Sequence, residues 1–160
     1  MNLSTQMTRR RGQRGFTLIE LIVATAIIVI LTGLAIPLAK VAVQRERERE
    51  LRYDLWMMRD AIDRYKDAAD RGAFQIKVGS EGYPPDLDVL VKGVSQVGKI
   101  DVKLKFLRRV PFDPMTGKAE WGKRCYQDEP DAHGWCGDNV WDVYSLSEGK
   151  GLDGSKYKEW

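Results

Sequence analysis

The sequence predicts an α+β protein: one long N-terminal helix packed on a small antiparallel β-sheet domain. Three observations carry this. A predominantly apolar run extends from Phe16 to Ala39. Beyond it, apolar residues recur at helical spacing as far as Ala69. After Gly72 the pattern changes to short aromatic and β-branched segments broken by prolines and glycines. The chain divides accordingly into a basic leader over 1–15, an apolar half-helix over 16–39, an amphipathic half-helix over 40–72 and a globular domain over 73–160.

The leader sets the charge balance. Its Arg9, Arg10, Arg11 and Arg14 are unaccompanied by any acid. Without those four, 22 basic residues face 23 acidic ones, so the formal +3 becomes −1. The basic balance is therefore local and is no nucleic-acid footprint.

The run from Phe16 to Ala39 is long enough to span a bilayer. A secretory signal would end in a small-residue cleavage site. Ala24-Thr25-Ala26 has that form, but apolar residues Ile27 to Leu31 and Leu34 follow it, so the match lies inside the run. The arginine cluster suggests twin-arginine export and meets the same objection. A buried core helix would need a larger surrounding domain than this polar chain supplies. A membrane anchor fits best, with the arginine flank cytoplasmic and the C-terminal part outside.

Glu20 stands out within that run. A carboxylate costs about 3 kcal/mol at the centre of a membrane helix and less near its end. No Lys or Arg lies between Phe16 and Ala39 to pair with it. A cut between Gly15 and Phe16 would create a cation, the α-amine of Phe16. Four residues from Glu20, it would lie one helical turn away on the same face. Pairing within one chain would be local. Pairing between neighbours would set axial register, the best-attested use of a buried polar pair.

Gly15-Phe16-Thr17-Leu18-Ile19-Glu20 resembles the cleavage and methylation motif of type IV pilins and type II secretion pseudopilins. The short basic leader, the long apolar run and Pro37, where the family helix kinks, extend the likeness. The resemblance implies a type IV pilin-like fold. It implies cleavage after Gly15 and methylation of Phe16 by a prepilin peptidase/methyltransferase. It also implies that Glu20 neutralises the terminal amine of an adjacent subunit. The implied partners are further copies of the chain, other pseudopilins and the inner-membrane secretion platform.

The elements follow in order. Gly33 and Pro37 weaken the first helix, and Pro37 removes one backbone hydrogen bond; a kink is expected, with local unwinding as the alternative. Arg45 to Glu50 alternate in charge, which places like charges at i,i+4 and suggests a solvated collar; contact between neighbouring helices is the sharper alternative. Leu51, Leu55, Met58, Ile62, Tyr65 and Ala69 form one apolar stripe, and Gly72 supplies a stop. Asp86 caps a short helix ending near Gly93. Phe106 to Pro114 reads as ordered loop. Lys118 to Tyr126 and Val140 to Leu146 read as strands.

Cys125 and Cys136 lie on the loop between those strands. An oxidising compartment would join them, and closing so short a loop contributes about 3 kcal/mol. A zinc site would need His133 and Asp128 or Asp131 as further ligands, and the spacing matches no common zinc motif. Such a disulfide is common in type IV pilins and is not required by the G-type pseudopilin pattern.

Two further segments resemble the major, G-type pseudopilin: FLRRVPFDPMTGKAEWG, and DVYSLSEGKGLDG with its glycine-rich loop. In that family the terminal loop often binds calcium, for which Glu148 and Asp153 are the candidates here. Calcium wants six to eight oxygens. Lys150, Lys156 and Lys158 crowd the loop and the family's adjacent acidic pair is missing, so a lysine ammonium replacing the ion is the alternative.

No nucleophile elbow, phosphate loop or dinucleotide motif is present. The sequence thus predicts a non-enzymatic filament subunit, anchored in the bacterial inner membrane with its domain in the periplasm. The G-type likeness favours a secretion pseudopilus. A surface pilin and a signal-anchored periplasmic enzyme or binding protein are the alternatives.

Overall fold

The computed structural model describes residues 15–77, 80–99, 101–129, 132 and 134–160, apart from the side chains of 34–37. The leader before Gly15, Asp131 and His133 fall outside the described residues. The chain forms two compact units, one ending at Lys40 and the other running from Val41 to Trp160. The architecture is α+β, as the sequence predicts.

Helix α1 spans Leu18–Asp70 and is helical through Pro37, so no unwound stretch interrupts it. Its predicted stripe is the core of the second unit: Leu51, Met58 and Ile62 are fully buried, and Leu55, Tyr65 and Ala69 nearly so. Burying each large apolar side chain contributes about 1.5–3 kcal/mol, which is what holds this half of the helix to its domain. The helix ends where Gly72 takes a positive φ of 67°, a conformation that favours glycine. Phe74 then folds back so that its ring meets Tyr65 at 4.7 Å between centroids.

Helix α2, Leu87–Lys92, starts where Asp86 accepts a hydrogen bond from Leu87 N–H and stops at Gly93. Leu87 and Leu90 pack into the core. Strands β1 (Val94–Ser95) and β2 (Lys103–Leu104) pair antiparallel. Strands β3 (Gly122–Arg124) and β4 (Asp142–Tyr144) form a second antiparallel pair. The single small sheet expected from sequence is therefore two separate ribbons, and β1–β2 had no counterpart among the predicted strands.

Both predicted strands are real but shorter than expected, because loops take the flanking hydrogen bonds. Lys118 carbonyl accepts from Asp113 N–H, and Tyr126 N–H donates to the Asn139 side chain, so β3 cannot extend either way. Val140 N–H donates to Pro84 carbonyl, ahead of β4.

The Phe112-Asp113-Pro114 segment is ordered by a buried acid. Asp113 accepts from Met115 N–H at 2.8 Å and from the Ser145 hydroxyl at 2.7 Å, pinning the turn to the end of β4. Trp121 seals the same region and donates its indole N–H to Pro111 carbonyl. Gly122 is required by close approach: a Cβ there would lie 2.3 Å from the Tyr144 ring. Arg124, 5% exposed, donates to Asp142 and to the carbonyls of Ala132 and Lys158, so its buried charge is paired and its hydrogen bonds are met.

Candidate functional site

Gly15 and Phe16 precede α1 and are exposed. Thr17 caps the helix: its hydroxyl accepts from Glu20 N–H at 3.3 Å, and its carbonyl accepts from Leu21 N–H. The sequence signal for this is Thr17 followed three residues later by Glu20, the spacing of a capping box. An acid in the first turn is also favoured by the helix dipole, by about 0.3–1 kcal/mol.

Phe16 lies before the helix begins. In the uncut chain its nitrogen is a peptide amide, so the cation expected to pair with Glu20 is not yet formed.

Past Glu20 the segment is apolar all round. One 18-residue window reaches a mean hydropathy of 2.7, and none of it is buried. Its two hydroxyls are satisfied internally. Thr25 donates to the carbonyls of Leu21 and Ile22, and Thr32 donates to that of Ile28. Back-bonding of this kind lets a hydroxyl sit in an apolar environment without an unmet donor. Glu20 is then the segment's exceptional polar group.

Residues 10–36 match the prokaryotic N-terminal methylation motif. This motif is the prepilin signal of type IV pilins and pseudopilins, and it covers Gly15, Phe16 and Glu20. No curated protein and no solved structure matches the chain significantly. The motif together with the exposed apolar helix fits a membrane-anchored protein.

In the second unit, Cys125 and Cys136 are joined by a disulfide with Cα atoms 6.0 Å apart. Both sulfurs are thus bonded to each other, and Asp128 accepts a hydrogen bond from Cys125 N–H. Lys123 lies 3.9 Å from the Trp135 ring and holds the disulfide loop against β3.

The charge alternation departs from a solvated collar at one position. Glu48 is 9% exposed, while Arg45, Glu46, Arg47, Arg49 and Glu50 are exposed. Gln44, Glu48 and Arg52 share one face of α1 at i,i+4,i+8 spacing and engage the C-terminal loop. Repetition of Arg and Glu hid this, because periodicity alone does not tell which of three glutamates a distant loop covers.

The calcium candidates do not make a cage. Glu148 points its carboxylate to Lys158 at 3.2 Å. Asp153 accepts from the Ser155 N–H and hydroxyl and pairs with Arg52 at 3.3 Å. Those hydrogen bonds, those to Ser155 first, hold its carboxyl below the usual range. Among the described residues no group of three or more His, Cys, Asp or Glu gathers as a metal site. Of the lysines near the loop, Lys158 pairs with Glu148 and Lys156 with Glu159.

Proposed function

We propose that this chain is a structural subunit of a periplasmic pseudopilus serving type II protein secretion. It is inserted as a precursor with the arginine leader cytoplasmic. A prepilin peptidase cuts after Gly15 and methylates Phe16, and the mature chain polymerises through the apolar half of α1. Other pseudopilins and the inner-membrane secretion platform complete the assembly. The observation that carries this is the methylation motif placed on an apolar helix that its own chain leaves uncovered.

Cleavage supplies Glu20 with its cation. The amine that meets Glu20 is that of the same chain or that of a neighbouring subunit, and only the second makes the pair an assembly contact. Methylation keeps the positive charge and removes one hydrogen-bond donor from the amine.

Intact-mass measurement of the membrane-extracted protein tests the processing. The expected mature chain begins at Phe16 and carries one added methyl group; a mature chain beginning at Met1 refutes the proposal. The second reading is a surface type IV pilin for adhesion, motility or DNA uptake, favoured by the Cys125–Cys136 disulfide. Long extracellular filaments from native cells would select it over a periplasmic pseudopilus.

A further inference from the structure

The C-terminal loop is closed in a way that argues against an ion. A bound calcium ion needs six to eight oxygens converging on one point. Here the loop carbonyls already accept hydrogen bonds. Gly149 takes one from Tyr157 N–H, Lys150 from Gln44 Nε2, Gly151 from Gly154 N–H, and Ser155 from Gly151 N–H. What converges instead is a set of donors. Leu152 N–H at 2.9 Å and the Tyr157 hydroxyl at 3.0 Å donate to Glu48 Oε1, while Gln44 Nε2 shares its two hydrogens among Glu48 Oε1, the Lys150 carbonyl and the Tyr157 oxygen. A point where such donors converge is a site for an anion, and the buried carboxylate of Glu48 occupies it. Next to it, Arg52 lies 3.9 Å from the Trp160 ring and pairs with Asp153, while Trp160 Nε1 donates to the Ser155 hydroxyl.

We propose that Glu48 of α1 closes the C-terminal loop in place of a divalent cation, so that the order of this loop is independent of calcium. Gln44 and Arg52 act with it as positioning residues on the same helix face. Charge-assisted hydrogen bonds to a buried carboxylate are among the stronger kind, and the two from Leu152 N–H and the Tyr157 hydroxyl fix the loop to α1. The loop is thereby tied to the helix side chain by side chain.

Hydrogen exchange on the full-length protein in detergent micelles tests this, with peptides covering residues 149–157 as the readout and β4 peptides as the control. In the wild type, exchange in calcium chloride and in the chelator EGTA is expected to agree within about twofold. Glu48→Ala is expected to speed loop exchange by tenfold or more, on the order of what losing several hydrogen bonds produces, with no rescue by calcium. Slowing by calcium of more than about tenfold in the wild type would overturn the proposal, as would wild-type protection in Glu48→Ala. Should Glu48→Ala not fold, Tyr157→Phe removes one donor alone. Its loop is expected to exchange about fivefold faster with or without calcium, and an unchanged rate would equally overturn the proposal.

Discussion

The two halves of α1 are both rich in large apolar side chains and differ in what covers them. Between Leu18 and Leu31 those side chains remain half exposed or more, from 50% at Val23 to 80% at Leu18. Between Leu51 and Ala69 the stripe residues are 7% exposed or less. The second half is amphipathic and its apolar face meets a domain. The first is apolar on every face, so no single domain surface could satisfy it. Among the described residues nothing buries its apolar window. Glu20 then has a use only in the half that lacks an internal partner.

The largest expected effect breaks the comparison at that point. Glu20→Ala is expected to abolish filament formation, measured by pelleting or cross-linking of membrane-extracted protein. The melting of the 41–160 unit should stay within about 0.5 kcal/mol of wild type, as for an exposed surface substitution. Normal filaments from this variant would remove the register argument.

A paired substitution sharpens the contrast. Met58→Ala lies in the fully buried stripe and is expected to cost about 2–5 kcal/mol in unfolding free energy. Ile28→Ala, 61% exposed, is expected to cost under about 0.5 kcal/mol in the detergent-solubilised monomer. Equal losses would mean that the first half has a partner within its own chain. Reducing the Cys125–Cys136 bond should cost about 3 kcal/mol, read from denaturant midpoints with and without reductant, because it releases a short closed loop.

The elements of the 41–160 unit were themselves unequally legible in the sequence. The stripe from Leu51 to Ala69, the Gly72 stop and the Asp86 cap could be placed because each depends on residues close in sequence. The strand ends could not. They are set by bonds such as Val140 N–H to Pro84 carbonyl, which join segments far apart in the chain. Two-residue strands such as β1 and β2 carry no alternation to detect. Glu48 shows the same limit at the site: only the loop folded onto it, through Leu152 and Tyr157, distinguishes it from Glu46 and Glu50.

Asp54 gives the smallest expected effect and the most direct measure of how dry the covered half is. It sits on α1 beside Leu55, 8% exposed. Burial pushes its carboxyl up to about 6, and Glu50 and Asp113 add to the rise while Arg109 opposes it. A folded-state value above the unfolded one means that the native protein binds the proton more tightly. Asp54 therefore lowers stability at pH 7, and that penalty disappears as pH falls from about 6 towards the ordinary carboxylate value of 3.8. Asp54→Asn, which resembles the protonated acid, is expected to stabilise the protein by on the order of 1 kcal/mol at pH 7. The gain should vanish below about pH 4, where both side chains are neutral. Chemical denaturation of both proteins across pH 4 to 8 measures this gap. A gap that does not change with pH would show that Asp54 is hydrated in the folded state, and that this edge of the stripe is wetter than its neighbours Leu51 and Leu55.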